Sequence, residues 1–267
     1  MRNRHLAEGL AAATVLLCGG LLAMGQTAVL AHGPNALPAA EASIANTHLT
    51  IDQVVQRLQQ RNAERAAALE QYESTRDYGM QYRGFPSNRD AEMVVHMAYR
   101  APDSKEFSVV SQSGLKFINE HVFKKLLEAE REAAANPESR RRSALTAENY
   151  EFTMAGHESS PDGGRYILDL VPRLKSKFLY RGKIWVDDKD FAVVRIQGEP
   201  AVNPSFWIKK TSIEHTYAKM GEFWLPVENR TESLIRLGGV AHLSIEYKDY
   251  KILKSETLAG VGGVSTK

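Results

Sequence analysis

From residue 166 to residue 252, apolar and polar positions follow one another in segments of strand length. Glycine, proline, asparagine or aspartate separates most of these segments, as is typical of turns. No helical pattern long enough to bridge parallel strands lies between them, so the pattern predicts antiparallel hairpins. The predicted strands are residues 166–171, 178–186, 191–196, 206–217, 222–232 and 240–252.

Two amphipathic helices are predicted before this region. Thr50 and Gln53 fit a capping box, so the first helix is predicted over residues 50–74. The second helix begins at Lys116, where apolar residues recur with helical spacing. Its apolar stripe contains Ile118, Val122, Leu126, Ala129 and Ala133, widened by Phe117, Phe123 and Leu127. Its predicted polar face contains Lys124, Lys125, Glu128, Glu130, Arg131 and Glu132.

Between the two helices, residues 78–83 and 92–99 predict a hairpin, and residues 107–111 predict a further short strand. The two-residue period of a strand places one apolar set of the hairpin on a single face. Methionine adapts to a flexible apolar ligand, but the same stripe also fits plain core packing. With the second helix as cover, the predicted ligand-binding residues are Met93, Val95, Met97, Tyr99, Phe123, Leu126 and Leu127.

These elements predict an α+β fold. The expected architecture is a half-open, strongly curved antiparallel β-sheet, an incomplete barrel, with helices covering its open side. Strand-rich chains of this size commonly build one core, so a single domain is predicted over residues 50–256. The two helices either cover the mouth of the sheet or simply pack as part of the core. Residues 136–142, with three consecutive arginines, are predicted to form an exposed loop.

The N-terminus has the order of a secretory signal peptide. Basic residues are followed by an apolar stretch and a small-residue site that ends at Ala31, which predicts a signal over residues 1–31 and a periplasmic mature protein. Residues 32–49 and 257–267 are predicted to be a disordered leader and a flexible tail. Cys18 is the only cysteine, and the large Leu17 before it disfavours lipidation. Disulfides are therefore excluded.

Charge and motifs limit the other function classes. The chain has 34 basic and 32 acidic residues, and this near-neutral balance argues against nucleic acid as the partner. Residues 156–160 resemble a nucleophile elbow but lack its second glycine, and they are interpreted as a loop tip. The histidines contain no metalloprotease motif, and no phosphate loop or dinucleotide fingerprint occurs. No catalytic residue, metal or cofactor is predicted.

The acidic run of residues 187–190 invites two interpretations. Paired carboxylates serve acid–base chemistry or calcium binding, but here they lie between two predicted strands. Aspartate supplies turn geometry through hydrogen bonds from its own side chain, and this explanation is favoured.

The hairpin of residues 180–196 resembles a strand pair of the outer-membrane lipoprotein-sorting (LolA-like) family. In that family a Gly-x-x-x-Val-Asp strand turns into a strand that ends in arginine and an aliphatic residue, as Gly182–Asp187 and then Arg195 and Ile196 do here. Upstream, Arg100 with Pro102, then Phe107, Ser111 and Gly114, are similar to the family's Arg-Pro, Phe and Ser-Asp-Gly series. The order of elements matches over residues 50–253. The long charged helix after Gly114 departs from the family's pattern, which indicates a divergent member.

This resemblance implies a half-open barrel whose helices form a lid over a cavity for acyl chains. It implies that Arg100, the match to the family's Arg-Pro arginine, gates the lid; the alternative is a solvated strand end. The implied function is a periplasmic carrier or binding protein for acyl chains of lipoproteins or related envelope lipids. A sensor module that detects lipoproteins or lipids and signals to an envelope membrane protein is the alternative, and an enzyme is the third reading.

Overall fold

The computed structural model describes residues 49–160, 163–176, 178–203, 205–236 and 238–253. The predicted signal peptide, most of the predicted leader and the predicted tail lie outside these residues. The strands are β1 (Gln71–Arg83), β2 (Arg89–Arg100), β3 (Ser104–Gly114), β4 (Tyr150–Ser160), β5 (Gly163–Pro172), β6 (Tyr180–Asp187), β7 (Val193–Pro200), β8 (Ile208–Met220), β9 (Phe223–Ile235) and β10 (Val240–Leu253). The helices are α1 (Ile51–Ala68), α2 (Lys116–Ile118, a π-helical turn Asn119–Phe123, and Lys124–Ala135) and α3 (Pro137–Ser143).

The strands form one antiparallel sheet with the order β3-β2-β1-β10-β9-β8-β7-β6-β5-β4. β4 to β10 are a meander in which each strand pairs with the next, so the six predicted strands of this region and their hairpins are confirmed. β1 then pairs with β10, which joins the N-terminal hairpins to the end of the meander. β3 and β4 are the two edges, so the sheet is open, and the predicted fold class is confirmed.

The first predicted helix is too long at its C-terminal end. Thr50 does cap it, because its hydroxyl accepts from the Gln53 backbone and the Gln53 side chain accepts from the Thr50 backbone. The helix nevertheless ends at Ala68, and β1 starts at Gln71 rather than at residue 78. Buried and less buried positions alternate along β1, but Ser74 and Arg76 are among the buried ones. Because two polar residues occupy the buried face, the strand lacks the apolar alternation that predicts a strand.

Residues 137–143 form the short helix α3, so the prediction of a loop in this segment is wrong. Asn136 is the N-cap, and its side-chain oxygen accepts from the backbone of Glu138 and Ser139. Pro137 stands at the first turn, where a missing N–H costs nothing. The Glu138 carboxylate then accepts from Arg141 and Arg142 one turn later. These local interactions favour a helix in a segment with no apolar stripe.

The predicted loop tip at residues 156–160 is also wrong, since these residues belong to the edge strand β4. A register shift between Met154 and Gly156 interrupts the pairing of β4 with β5. The strand carries polar residues beyond this irregularity, as edge strands commonly do. That composition conceals the strand in the sequence.

Within the described residues, no helix has both the length and the apolar character needed to span a membrane.

Candidate functional site

Helices α1 and α2 pack against the same face of the sheet, here called the inner face, and the apolar residues of that face form three clusters. The first cluster joins β1, β2 and β10 to α2. It contains four of the predicted ligand-binding residues at almost complete burial, together with Leu127 at 7% exposure. The four are Met93, Val95, Phe123 and Leu126. Sequence periodicity therefore places strand and helix residues together correctly, while their ligand-binding role stays a prediction.

Met97 and Tyr99 belong to a different cluster. They pack with Leu69, Phe223 and Leu225, where α1 ends and β1 begins. The Tyr99 ring lies 5.2 Å from the ring of Tyr72 between centroids. The two halves of the predicted methionine stripe thus contact different parts of the protein, because β2 is long enough to pass from one cluster to the next.

The remaining cluster lies under α1. Val54, Val55 and Leu58 of this helix are buried against inward-facing residues of β4 to β8. Arg65, in the last turn of α1, donates to the carbonyl oxygens of Asp190 and Phe191 at 2.8 and 3.0 Å. Phe191 has a positive φ of 48°, so Arg65 contacts a strained turn between β6 and β7.

A buried ion network connects α2 to the sheet, and none of its residues was predicted as functional. The Glu130 carboxylate of α2 accepts from Arg76 Nη1 of β1 at 2.8 Å and from Lys105 Nζ of β3 at 2.7 Å. All three side chains are at most 3% exposed. Burial raises the pKa of Glu130, but Arg76 and Lys105 lower it further, so its pKa lies below the ordinary value.

Glu130 was predicted on the polar face of the second helix, but it lies on the buried face. Ile118, Val122, Leu126 and Glu130 are spaced by four residues and all are buried. The four-residue spacing by itself indicates that Glu130 is buried. A carboxylate is expected in an apolar stripe, however, only where buried partners neutralise it. Those partners lie on β1 and β3, far away in sequence.

Arg76 has further contacts within the sheet. Its guanidinium lies 5.4 Å from the ring centroid of Phe107 in β3 and 5.0 Å from that of Tyr247 in β10. Cation–π contacts of this kind stabilise a desolvated cation. Burial lowers the pKa of Arg76, but the negative charge of Glu130 raises it more, so the pKa stands well above the ordinary value.

Arg100, the predicted gating residue, lies exposed at the end of β2. Its backbone neighbours in the sheet are Gln71 and Ser104. Among the described residues its side chain has no hydrogen bond or ion pair, so the expected bond to the lid is absent from this conformation. The gating role stays a prediction.

A buried polar seam on β8 and β9 lies between the clusters under α1 and α2. Thr211 and Ser233 share a hydrogen bond of 3.1 Å, and His215 pairs with Asn229 across the two strands. Burial lowers the pKa of His215 to about 4, so this imidazole is neutral near pH 7. Within the described chain its Nε2 has no hydrogen-bond partner.

The space between α1 and the sheet is small in this conformation. A cavity of about 50 Å³ lies among Leu69, Tyr99, Tyr217, Phe223 and Trp224. An apolar cavity that binds benzene measures about 150 Å³. The described inner-face cavity is therefore too small for an acyl chain unless a helix moves.

A wider groove, of about 790 Å³, lies on the opposite face of the sheet. Besides core residues such as Met80 and Ile213, its lining includes the charged or titratable residues Glu92, Glu214, Arg230, Glu232 and His242. Desolvating such charged groups against an acyl chain is costly, so this groove does not suit an apolar ligand.

The acidic run of residues 187–190 is a turn, as interpreted. Asp187 Oδ1 accepts from the backbone of Lys189 and Asp190 at 3.0 and 2.7 Å. The Asp190 carboxylate contacts Lys219 and the indole N–H of Trp224. Among the described residues, no three His, Cys, Asp or Glu side chains lie close enough together to hold a metal ion.

Comparison with known proteins finds neither a matching family model nor a matching curated protein. Several solved structures are similar. One is the LolA superfamily protein NE2245 from Nitrosomonas europaea, at 12% identity over 78% of this chain and 95% of that chain, with a TM-score of 0.34. Another is a putative outer membrane lipoprotein-sorting protein domain from Vibrio parahaemolyticus, at 9% identity over 78% and 95%, with a TM-score of 0.38.

A third similar structure is the MucA/MucB complex of Pseudomonas aeruginosa, at 9% identity over 76% of this chain and 99% of that chain, with a TM-score of 0.24. The first two are from the family that the sequence motifs resemble. At these identities the likeness concerns the fold alone.

Proposed function

We propose that this protein is a periplasmic carrier or binding protein that holds acyl chains of lipoproteins or related envelope lipids between its sheet and its helices. One observation carries the proposal. The inner face of a single open sheet carries an apolar cluster on each side of a polar seam on β8 and β9, and separate helices cover these two halves. Such a face requires no catalytic residue to bind a lipid.

Apolar burial supplies enough free energy for this function. Removing apolar surface from water contributes about 25 cal/mol per Å², so one acyl chain gains several kcal/mol in a dry site. The inner-face cavity of about 50 Å³ is too small, so α1 or α2 moves away from the sheet when the ligand enters. The side chains exposed by movement of α2 would include the flexible Met93 and Met80.

Uptake of a fluorescent fatty acid by the purified protein tests the proposal. Leu127→Asp places a charge on the sheet-facing side of α2 and should weaken uptake at least about tenfold. Arg131→Asp introduces the same carboxylate on the exposed side of α2 and serves as the matched control. Circular dichroism and urea unfolding establish that both variants are folded. Uptake by Leu127→Asp equal to that of the control would contradict the proposal.

Native mass spectrometry of protein purified from a bacterial envelope separates the carrier from the sensor. A co-purifying lipid supports the carrier, whereas a stoichiometric membrane protein favours the sensor alternative. Intact-mass analysis of the same sample tests the proposed export, because cleavage after Ala31 leaves His32 as the first residue.

The gating role of Arg100 belongs to the same proposal. If its guanidinium holds the lid in another conformation, Arg100→Leu should change the rate of ligand release more than the rate of entry. Stopped-flow loading and release with a fluorescent acyl ligand measures both rates. Arg89→Leu, at the other and exposed end of β2, is the control.

A further inference from the structure

The ion network divides its charges unequally between sheet and helix. Both cations, Arg76 and Lys105, belong to the sheet, whereas the single carboxylate, Glu130, belongs to α2. With the helix in place the buried network carries one excess positive charge. With the helix displaced, two cations on the inner face lose their counter-ion. One cation is enough to neutralise the carboxylate, so the second is in excess.

Unpartnered polar groups lie next to these cations along β1. Tyr72, Ser74 and Arg76 occupy successive inward-facing positions of the strand, and each is about 1% exposed. Within the described chain, the Ser74 hydroxyl and Arg76 Nε have no hydrogen-bond partner, and the Tyr72 hydroxyl interacts with the neighbouring Arg76 side chain. Buried polar groups in folded proteins are normally paired. All three groups can donate, so β1 offers hydrogen bonds to an acceptor.

Besides Glu130 of α2, residues of the sheet itself contact Arg76. Its guanidinium lies between the rings of Phe107 on β3 and Tyr247 on β10, at 5.4 and 5.0 Å from their centroids. The cation is therefore fixed against the sheet before any ligand arrives. A fixed guanidinium fork is well suited to a carboxylate or a phosphate.

We propose that Arg76 and Lys105 bind the anionic headgroup of the acyl-chain ligand, and that Glu130 occupies this site while the protein is empty. This inference rests on the proposed function and specifies its ligand class. When α2 moves to admit an acyl chain, Glu130 leaves with the helix. The ligand's carboxylate or phosphate then takes its place, with the Tyr72 and Ser74 hydroxyls as additional donors. The apolar chain lies along the surface that α2 has uncovered.

Competition against a fluorescent acyl probe tests this headgroup site. Palmitic acid, hexadecyl phosphate and hexadecanol share one alkyl chain length and differ in the headgroup. The wild-type protein should bind both anions at least about tenfold more tightly than the alcohol. The tighter of the two anions identifies the preferred headgroup. Equal binding of acid, phosphate and alcohol overturns the inference and leaves the proposed function standing. Binding of none of the three overturns both.

Variants identify the residues. Lys105→Met leaves the Arg76–Glu130 pair intact, so it should fold, and it should abolish most of the preference for the anions. Lys105→Arg should restore the preference. Lys116→Met removes an exposed charge at the start of α2 and should change nothing. Glu130→Gln removes the competing carboxylate and should increase the preference. A preference unchanged in both Lys105→Met and Glu130→Gln overturns the inference even if the wild type favours anions.

Discussion

The two long helices lie on the same face of the sheet but are held there by different interactions. α1 buries only apolar side chains, and its charged residues Arg57 and Arg65 contact the β6–β7 turn at the rim. α2 has a comparable apolar stripe, but it adds a carboxylate buried between two cations. Apolar contact strengthens gradually with area, whereas a buried charge is stable only with its partners in place. Under the proposed function, the half under α2 has two arrangements, docked and displaced, whereas α1 buries no charged side chain among the described residues.

The largest effect is expected from breaking the ion network. Glu130→Leu leaves two buried cations without a counter-ion and should lower the free energy of unfolding by about 4 kcal/mol. Replacing all three members at once, with Arg76→Met, Lys105→Leu and Glu130→Leu, should recover most of this loss, because no unpaired charge remains. Urea unfolding at constant pH measures both. Additive losses in the triple variant would contradict the charge-based account of α2.

In the α1 half, the corresponding loss should depend on volume alone. Leu58→Ala removes a fully buried side chain and should cost about 3 kcal/mol through the cavity left behind. Gln56→Ala, on the exposed side of the same helix, should be nearly neutral. The stability lost in Glu130→Leu should be recoverable by removing the partner charges on the sheet. The stability lost in Leu58→Ala should be recoverable only by a substitution that refills the lost volume. Urea unfolding of Leu58→Ala and Gln56→Ala, each compared with the wild type, measures the two changes in the free energy of unfolding.

The polar seam between the halves should respond to pH. The pKa of His215 is about 4 in the folded protein and 6.5 ordinarily, so the unfolded chain binds more protons between these values. Stability from the neutral imidazole is complete above pH 6.5 and is lost as the pH falls toward 4. The loss between pH 7 and pH 5 should be about 2 kcal/mol. His215→Asn should remove this part of the pH dependence; an unchanged slope would show that His215 titrates normally.

The smallest effect is expected at the rim of α1. Arg65→Met removes the bonds to the carbonyls of Asp190 and Phe191 and should cost about 1 kcal/mol, because these groups are only partly buried. Arg61→Met, whose guanidinium contacts only the exposed Glu64, is the control. Thermal unfolding resolves the difference. A loss as large as that of Glu130→Leu would mean that α1, too, depends on a charged contact.

The accuracy of the sequence-based predictions follows from what each pattern depends on. Apolar alternation located β5 to β10 of the meander, because each of these strands buries one face and pairs with its neighbour in sequence. The capping box located the start of α1 for the same local reason. The start of β1 and the burial of Glu130 were missed, since both depend on contacts between residues that are distant in sequence. A charge such as Arg76 in a strand indicates exposure until its partner is known.

The candidate site shows the same limit. Met93, Val95 and Phe123 were predicted to face one another, and they do, because side-chain period fixes the face of each element. Met97 falls in another cluster, because β2 extends past the part of the sheet that α2 covers. The ion network was not predictable from any one element, because its three members come from β1, β3 and α2.

The pairing of β1 with β10 has a consequence for how the chain folds. Asp77 and Lys248, which form an ion pair of 2.8 Å across these strands, are 171 residues apart in sequence. Closing so long a loop is slow relative to forming the hairpins of the meander. The cluster under α2 also contains Leu243, Ile245 and Tyr247 of β10, so its packing is incomplete until the last strand is present. If a protease cuts the chain before β10, the half encoded mainly by early residues is therefore the half that fails to assemble.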